Sequence, residues 1–136
     1  MSFVLDSSAT LAWVYAEETT QSIRDVFDLV IESGAWVPSL WRLEVANILE
    51  MSIRRGRHDA AFRDATQADL ALLPIRLDPE TNDHAWSATT RLASFHKLTV
   101  YDAAYLELAQ RRGLPLATLD QDLAQAARLE RIQVLG

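Results

Sequence analysis

Four acids stand where acids are costly. Asp6 ends the apolar run Phe3-Val4-Leu5, and Asp120 ends Leu116-Ala117-Thr118-Leu119. Glu44 and Asp102 fall among apolar residues on helical patterns. At 100° per residue with Trp41 at zero, Ile48 lies at about 340°, Val45 at about 40° and Met51 at about 280°, with Glu44 between them at about 300°. Placing Asp102 at zero brings Leu106 to about 40° and Ala109 to about 340°, so this carboxylate also faces inward. An isolated charge in such a place is expensive to bury.

The ordinary account differs for each acid. Asp6 and Asp120 each precede a helix, where Asp is a good N-cap, and for either alone that is the better account. Glu44 could serve a buried ion pair or sit at the helix edge and reach out to solvent, and Asp102 gains from the dipole of its helix's first turn. The four together ask for more. At an effective dielectric of ~20 and a spacing of ~5 Å, each like pair costs about 3 kcal/mol, or roughly 20 kcal/mol for six ionised pairs. Such a cluster persists by taking up protons or by binding a hard cation. Oxygen-only ligands select Mg²⁺ or Mn²⁺ over zinc. A carboxylate-held cation of that kind suits phosphodiester hydrolysis, where it activates water and stabilises charge on the phosphate and the leaving oxygen.

The elements that must position these acids alternate. The runs 3–5, 35–37, 75–77, 116–119 and 132–135 read as strands, and 98–100 is too short for one and leads into a helix. Three of these runs are nearly all apolar, as in a parallel sheet covered on both faces. Helical patterns cover 8–16 (capped by Ser7 or Ser8), a segment from Thr19 or Thr20 to Gly34, Leu40 to Arg55 and Asp59 to Leu72. Three more run from Pro79 to about Lys97, from Tyr101 to Arg112 and from Asp120 to about Arg128. Strands alternating with helices give an α/β fold with a central parallel sheet, joined by right-handed crossovers, with ligands outside the carboxyl ends of the strands.

The chain has 136 residues, 49% of them hydrophobic, which fits one domain over 1–136 with a real core. It has no cysteine, which excludes disulfides and thiolate metal sites and is compatible with a cytoplasmic setting. The start reads as a first strand and not as a leader, and no apolar run approaches membrane-span length. The net charge of −6 counts mildly against nucleic-acid binding. Of 13 cations, however, only Lys97 is a lysine, and arginine forks match phosphate oxygens. A cation among the acids would also reverse the local sign.

Around these acids the chain resembles the PIN-domain nucleases, and among them the VapC-type toxins of toxin–antitoxin pairs. The resemblance rests on Phe3-Val4-Leu5-Asp6-Ser7-Ser8-Ala9, on 38–47 (Pro-Ser-Leu-Trp-Arg-Leu-Glu-Val-Ala-Asn), on 98–106 (Leu-Thr-Val-Tyr-Asp-Ala-Ala-Tyr-Leu) and on Leu116-Ala117-Thr118-Leu119-Asp120. The four segments occur in the family's order and spacing over essentially the whole chain. The resemblance implies a three-layer α/β/α sandwich and a Mg²⁺- or Mn²⁺-dependent endoribonuclease acting as a toxin, with metal-activated water leaving a 5′-phosphate and a 3′-hydroxyl. It implies a homodimer restrained by a cognate antitoxin. Its four catalytic and metal-holding acids correspond to Asp6, Glu44, Asp102 and Asp120, and its hydroxyls to Ser8 and Thr118. Asn47 and Asp122 are expected as accessories.

Weaker signals remain. Arg54, Arg55 and Arg57 form a basic cluster that could hold RNA phosphates, although cations commonly complement a helix C-terminus; Arg111 and Arg112 invite the same account. His58, His84 and His96 sit among polar residues and read as surface. The four tryptophans could stack bases, but packing is the commoner use. Residues 11–15 with Ile23, Val26, Phe27 and Val30 could form a groove for an antitoxin helix or a dimer contact. The competing functions are another acid-rich metal-dependent phosphoesterase and a non-catalytic binding module whose acids are structural. A haloacid-dehalogenase-like site would want a second Asp where Ser8 stands. A receiver domain would want adjacent acids on the first strand and a late lysine.

Overall fold

Short apolar runs become strands because both faces are covered. In the computed structural model, which describes residues 2–136, β1 (Phe3–Leu5) has every residue buried. It lies at the centre of a parallel sheet with β2 (Ala35–Val37), β3 (Ile75–Leu77), β4 (Leu116–Ala117) and β5 (Val134–Leu135). The order is β3-β2-β1-β4-β5, with Phe3 opposite Ala35 and Val4 opposite Leu116. The chain therefore reverses its direction of travel across the sheet between β1 and β4, and a crevice opens at their carboxyl ends.

The helices are α1 (Ser7–Val14), α2 (Gln21–Ser33), α3 (Trp41–Arg54), α4 (Ala60–Ala71), α5 (Thr81–His84), α6 (Thr90–His96), α7 (Val100–Arg112) and α8 (Gln121–Leu129). Right-handed crossovers put α1–α4 on one face of the sheet and α5–α8 on the other, giving the three layers expected. Side-chain caps start most of them: Thr20 accepts from the Ile23 amide, Asp59 from Phe62, Thr99 from Asp102 and Asp120 from Leu123. Asp59 lies on the surface, away from the acids' crevice. Asp59→Ala is expected to cost about 1 kcal/mol in urea denaturation and to leave any catalytic activity unchanged.

Several expectations need correction. The cap of α1 is Asp6 itself, not Ser7 or Ser8. The segment from Pro79 is not one helix: a π-type stretch, Ala85–Thr89, separates α5 from α6. Thr90 Oγ1 donates to the Ala85 carbonyl five residues back at 2.6 Å, which suits the wider turn. The last two strands are shorter than their apolar runs. Ile132 is diverted because its amide closes α8 by donating to Ala127, next to Arg131 in the left-handed region at φ 60°. Ile23, Val26, Phe27 and Val30 form no open groove. They are buried against the core, and Trp13 stacks on Phe27 with ring centres 4.3 Å apart.

Candidate active site

The crevice between β1 and β4 is built from backbone outward. The Asp6 amide still donates to Ala117 and the Thr118 amide to Leu135, so both residues extend the sheet by one rung before the chain turns away. Their side chains then meet over the sheet's edge. Asp6, only 3% exposed, accepts from the Ala9 amide at 2.9 Å on Oδ1 and from the Thr118 hydroxyl on Oδ2. The Ser8 hydroxyl lies 2.8 Å from Oδ1 and 3.0 Å from Oδ2, so one proton is shared between them. Ser8 Oγ in turn accepts from the Leu119 amide at 2.9 Å, and Thr118 Oγ1 from the Asp120 amide at 3.1 Å. Two hydroxyls thus tie the end of β1 to the end of β4.

Burial pushes the Asp6 carboxyl up to about 6 from 3.8, against the pull of its three donors, with the charge of Asp102 adding to the rise. Asp102 is half-buried in the first turn of α7. Its pKa is raised too, first by burial, then by the charges of Asp120 and Glu44, with Asp122 contributing. Asp6, Glu44, Asp120 and the exposed Asp122 therefore each lie within electrostatic reach of Asp102. Among the described residues, no three Asp, Glu or His side chains stand close enough together to hold a metal ion between them. The donor set is all oxygen and faces the strand ends, and its chemistry fits a hard divalent cation.

Glu44 reaches this crevice by a route that helical spacing does not give. The buried stripe of α3 is Trp41, Val45, Leu49 and Ser52. Glu44 is half-buried on its flank, not inside it. The Tyr105 hydroxyl, on the fully buried side of α7, donates to Glu44 Oε1 at 2.5 Å. Tyr105 is a site neighbour that sequence reasoning missed, because a buried aromatic reads as packing; only its place one helical turn after Asp102 could have marked it.

The other expected contributors are not all at the crevice. Asn47 is exposed on α3. Arg54, at the end of α3, lies about 15 Å along the helix axis from Glu44. Arg54, Arg55 and Arg57 are exposed, and Arg57 pairs with Glu17 at 3.2 Å and stands over the Tyr15 ring. The histidines are not all surface residues. His58 is half-buried, stacked between Tyr15 and Phe62 with Nδ1 against Ser52, and the His96 side chain is 4% exposed and meets Glu130 at 2.7 Å. Arg111 and Arg112 do more than complement a helix end: both bind Asp78, which is buried.

Comparison with known proteins agrees with the fold. The PIN domain family matches residues 3–129. Ribonuclease VapC3 of Pyrobaculum aerophilum is 33% identical over 129 residues, covering 92% of this chain and 94% of that protein. The crystal structure of PAE2754 from Pyrobaculum aerophilum superposes with a TM-score of 0.67 at 27% identity, over 93% of this chain and 87% of that one. FitAcB from Neisseria gonorrhoeae gives a TM-score of 0.69 at 14% identity over 100% and 97% of the two chains, a likeness of fold alone. Matched along nearly its whole length, in sequence and in fold, this chain belongs to the PIN domain family.

Proposed function

We propose that this protein is a divalent-metal-dependent endoribonuclease and the toxin of a toxin–antitoxin pair. The observation that supports the proposal is the charge coupling of Asp102 to Asp6, Glu44 and Asp120, with Asp6 clasped by Ser8 and Thr118 at the β1–β4 crevice. The kinship with a protein called Ribonuclease VapC3 supplies the substrate class and the biological role. The proposed unit is one domain over 1–136, with a second copy of the chain and a cognate antitoxin as its protein partners and the cytoplasm as its place of action. No described helix is long and apolar enough to cross a membrane.

In this proposal the four carboxylates hold Mg²⁺ or Mn²⁺, which when bound supplies an activated water and charge stabilisation for phosphodiester hydrolysis. The protein's own work is positioning. Ser8 and Thr118 fix the rotamer of Asp6, and the Asp120 carboxylate is oriented by its cap bond to Leu123 at 2.9 Å. Asp102 projects from the N-terminal turn of α7, whose dipole favours an anion. We assign to Asp122 and Asn47 the steering of water toward the RNA, and to Arg54, Arg55 and Arg57 the more distant phosphates of a long strand.

The test pairs cleavage with stability. Single-stranded RNA should be cut in Mg²⁺ and left intact in EDTA, giving products with 5′-phosphate ends. Saturating Mg²⁺ at about 100 times its Kd should also add about 2.7 kcal/mol to unfolding stability, measured by denaturant titration. A protein whose acids are merely structural would show neither.

A further inference from the structure

The bond from Tyr105 to Glu44 is, among the described residues, the one hydrogen bond between α7 and the acid supplied by α3. We propose that Tyr105 is a positioning residue: its buried hydroxyl holds one Glu44 oxygen so that the other is presented to the cation. This rests on the metal-site assignment above and adds to it a residue that touches neither cation nor RNA.

Three observations carry it. First, Tyr105 is fully buried, so its hydroxyl has no water to turn to and must be paired inside the protein. Its neighbours there are Glu44, the Ser7 hydroxyl and the charge of Asp6, so it sits beneath both the α1 and the α3 contributions to the crevice. Second, the phenol donates its one hydrogen to Glu44 Oε1 at 2.5 Å, across 61 positions of sequence. Third, α3 alone does not aim Glu44. The residue leaves the helix on the flank of the buried stripe, with Arg42, Leu43 and Asn47 exposed around it. Without the phenol, a flexible glutamate on a half-exposed flank has water as an alternative partner, and the entropy of fixing its side chain is then charged to cation binding. Partners of this outer kind typically change metal affinity by 10–100-fold.

Tyr105→Phe removes one oxygen and keeps the ring. In calorimetric titration with Mn²⁺ and no RNA, the variant should bind about 10-fold more weakly than wild type. In cleavage assays the half-saturating Mn²⁺ concentration should rise by a similar factor, while the rate at saturating Mn²⁺ returns to within a few-fold of wild type. A purely structural tyrosine would lower the fraction of folded enzyme without moving the half-saturating concentration, and that result would overturn the proposal. Equal Mn²⁺ affinity of wild type and variant would overturn it while leaving the metal site intact. Absence of Mn²⁺ binding by wild type would overturn the metal site and this inference together. If the variant does not fold, wild-type protein carrying 3-fluorotyrosine provides the same test. There are three tyrosines, so substitution of Tyr15 and Tyr101 by Phe identifies the third fluorine resonance. That resonance should move on Mg²⁺ addition, and an unmoved resonance would refute the coupling.

Discussion

Asp6→Asn is expected to abolish Mg²⁺-dependent RNA cleavage and yet to raise the melting temperature of the metal-free protein at pH 7–8. The two effects have one origin. Asp6 is buried among other acids, and its carboxyl is pushed up to about 6 from 3.8. Between those values the folded state keeps a proton that the unfolded chain has released, so stability falls as pH rises through this window. Above about 6 the loss is complete and amounts to roughly 3 kcal/mol, at 1.36 kcal/mol per unit. Below 3.8 both states are protonated and the penalty is gone. Asparagine has nearly the same shape. Its oxygen can still accept from Ala9, and its amide can donate toward Thr118 Oγ1, so the clasp survives without the charge. In thermal melts in EDTA, the variant should exceed wild type at pH 7.5 and lose its advantage by pH 4. Added Mg²⁺ should reverse the ranking, because only wild type gains a strong ligand. Wild-type cleavage by the variant would sink the site assignment. A variant equally destabilised at both pH values would show that the carboxylate is a structural anchor.

The sequence carried the fold further than it carried the reasons for the site. Three strands and the alternation of helices follow from apolar runs between turn residues, and the order of the acids follows from their places at strand ends. The cap account of Asp6 and Asp120 holds: each caps its helix with Oδ1. The periodicity argument was weaker. α7 is buried all round from Ala103 to Ala109, so no face of it distinguishes Asp102. In α3 the buried stripe lies to the other side of Trp41 from Glu44. What draws Glu44 inward is a residue 61 positions away in sequence, and a helical wheel cannot contain it. The same limit hid the histidines. Tyr15, His58 and Phe62 stack because α1 and α4 meet beside α3, and the polar neighbours of His58 in sequence say nothing about that. Ser8 and Thr118, by contrast, both hydrogen-bond the Asp6 carboxylate.

Asp78→Ala should be among the most destabilising single changes in the molecule, although it lies outside the proposed site. Asp78 is 1% exposed and receives Arg111 Nη2 at 2.5 Å and Arg112 Nη2 at 3.1 Å, while Arg111 also binds the buried Glu107 at 2.8 Å. The Arg112 guanidinium rests on the Trp36 ring at 3.7 Å, and its Nε is buried without a partner. The network joins the end of α7 to the turn after β3, where the Asp78 amide also holds Val37. Removing the central anion leaves two guanidinium groups largely enclosed with one carboxylate between them. Breaking a buried ion network in this way typically costs about 3–5 kcal/mol, more than one surface pair and comparable with loss of a large core side chain. For a domain of this size that lowers the melting temperature by roughly 10–20 °C. The pH dependence should have the opposite sign to that of Asp6. Burial works against ionisation of Asp78, but the hydrogen bonds from Arg111 and Arg112 outweigh it and hold the carboxyl down at about 2. A depressed acid stabilises the fold fully above its unfolded value of 3.8, and that contribution disappears as pH falls through about 2. The gap between wild type and Asp78→Ala in urea denaturation should therefore be constant from pH 8 to about 5 and narrow steeply below 4. A gap that persists at pH 2 would assign the stabilisation to packing of the Asp78 turn and not to its charge. A gap that instead opens on acidification would show that the two arginines are already satisfied without it.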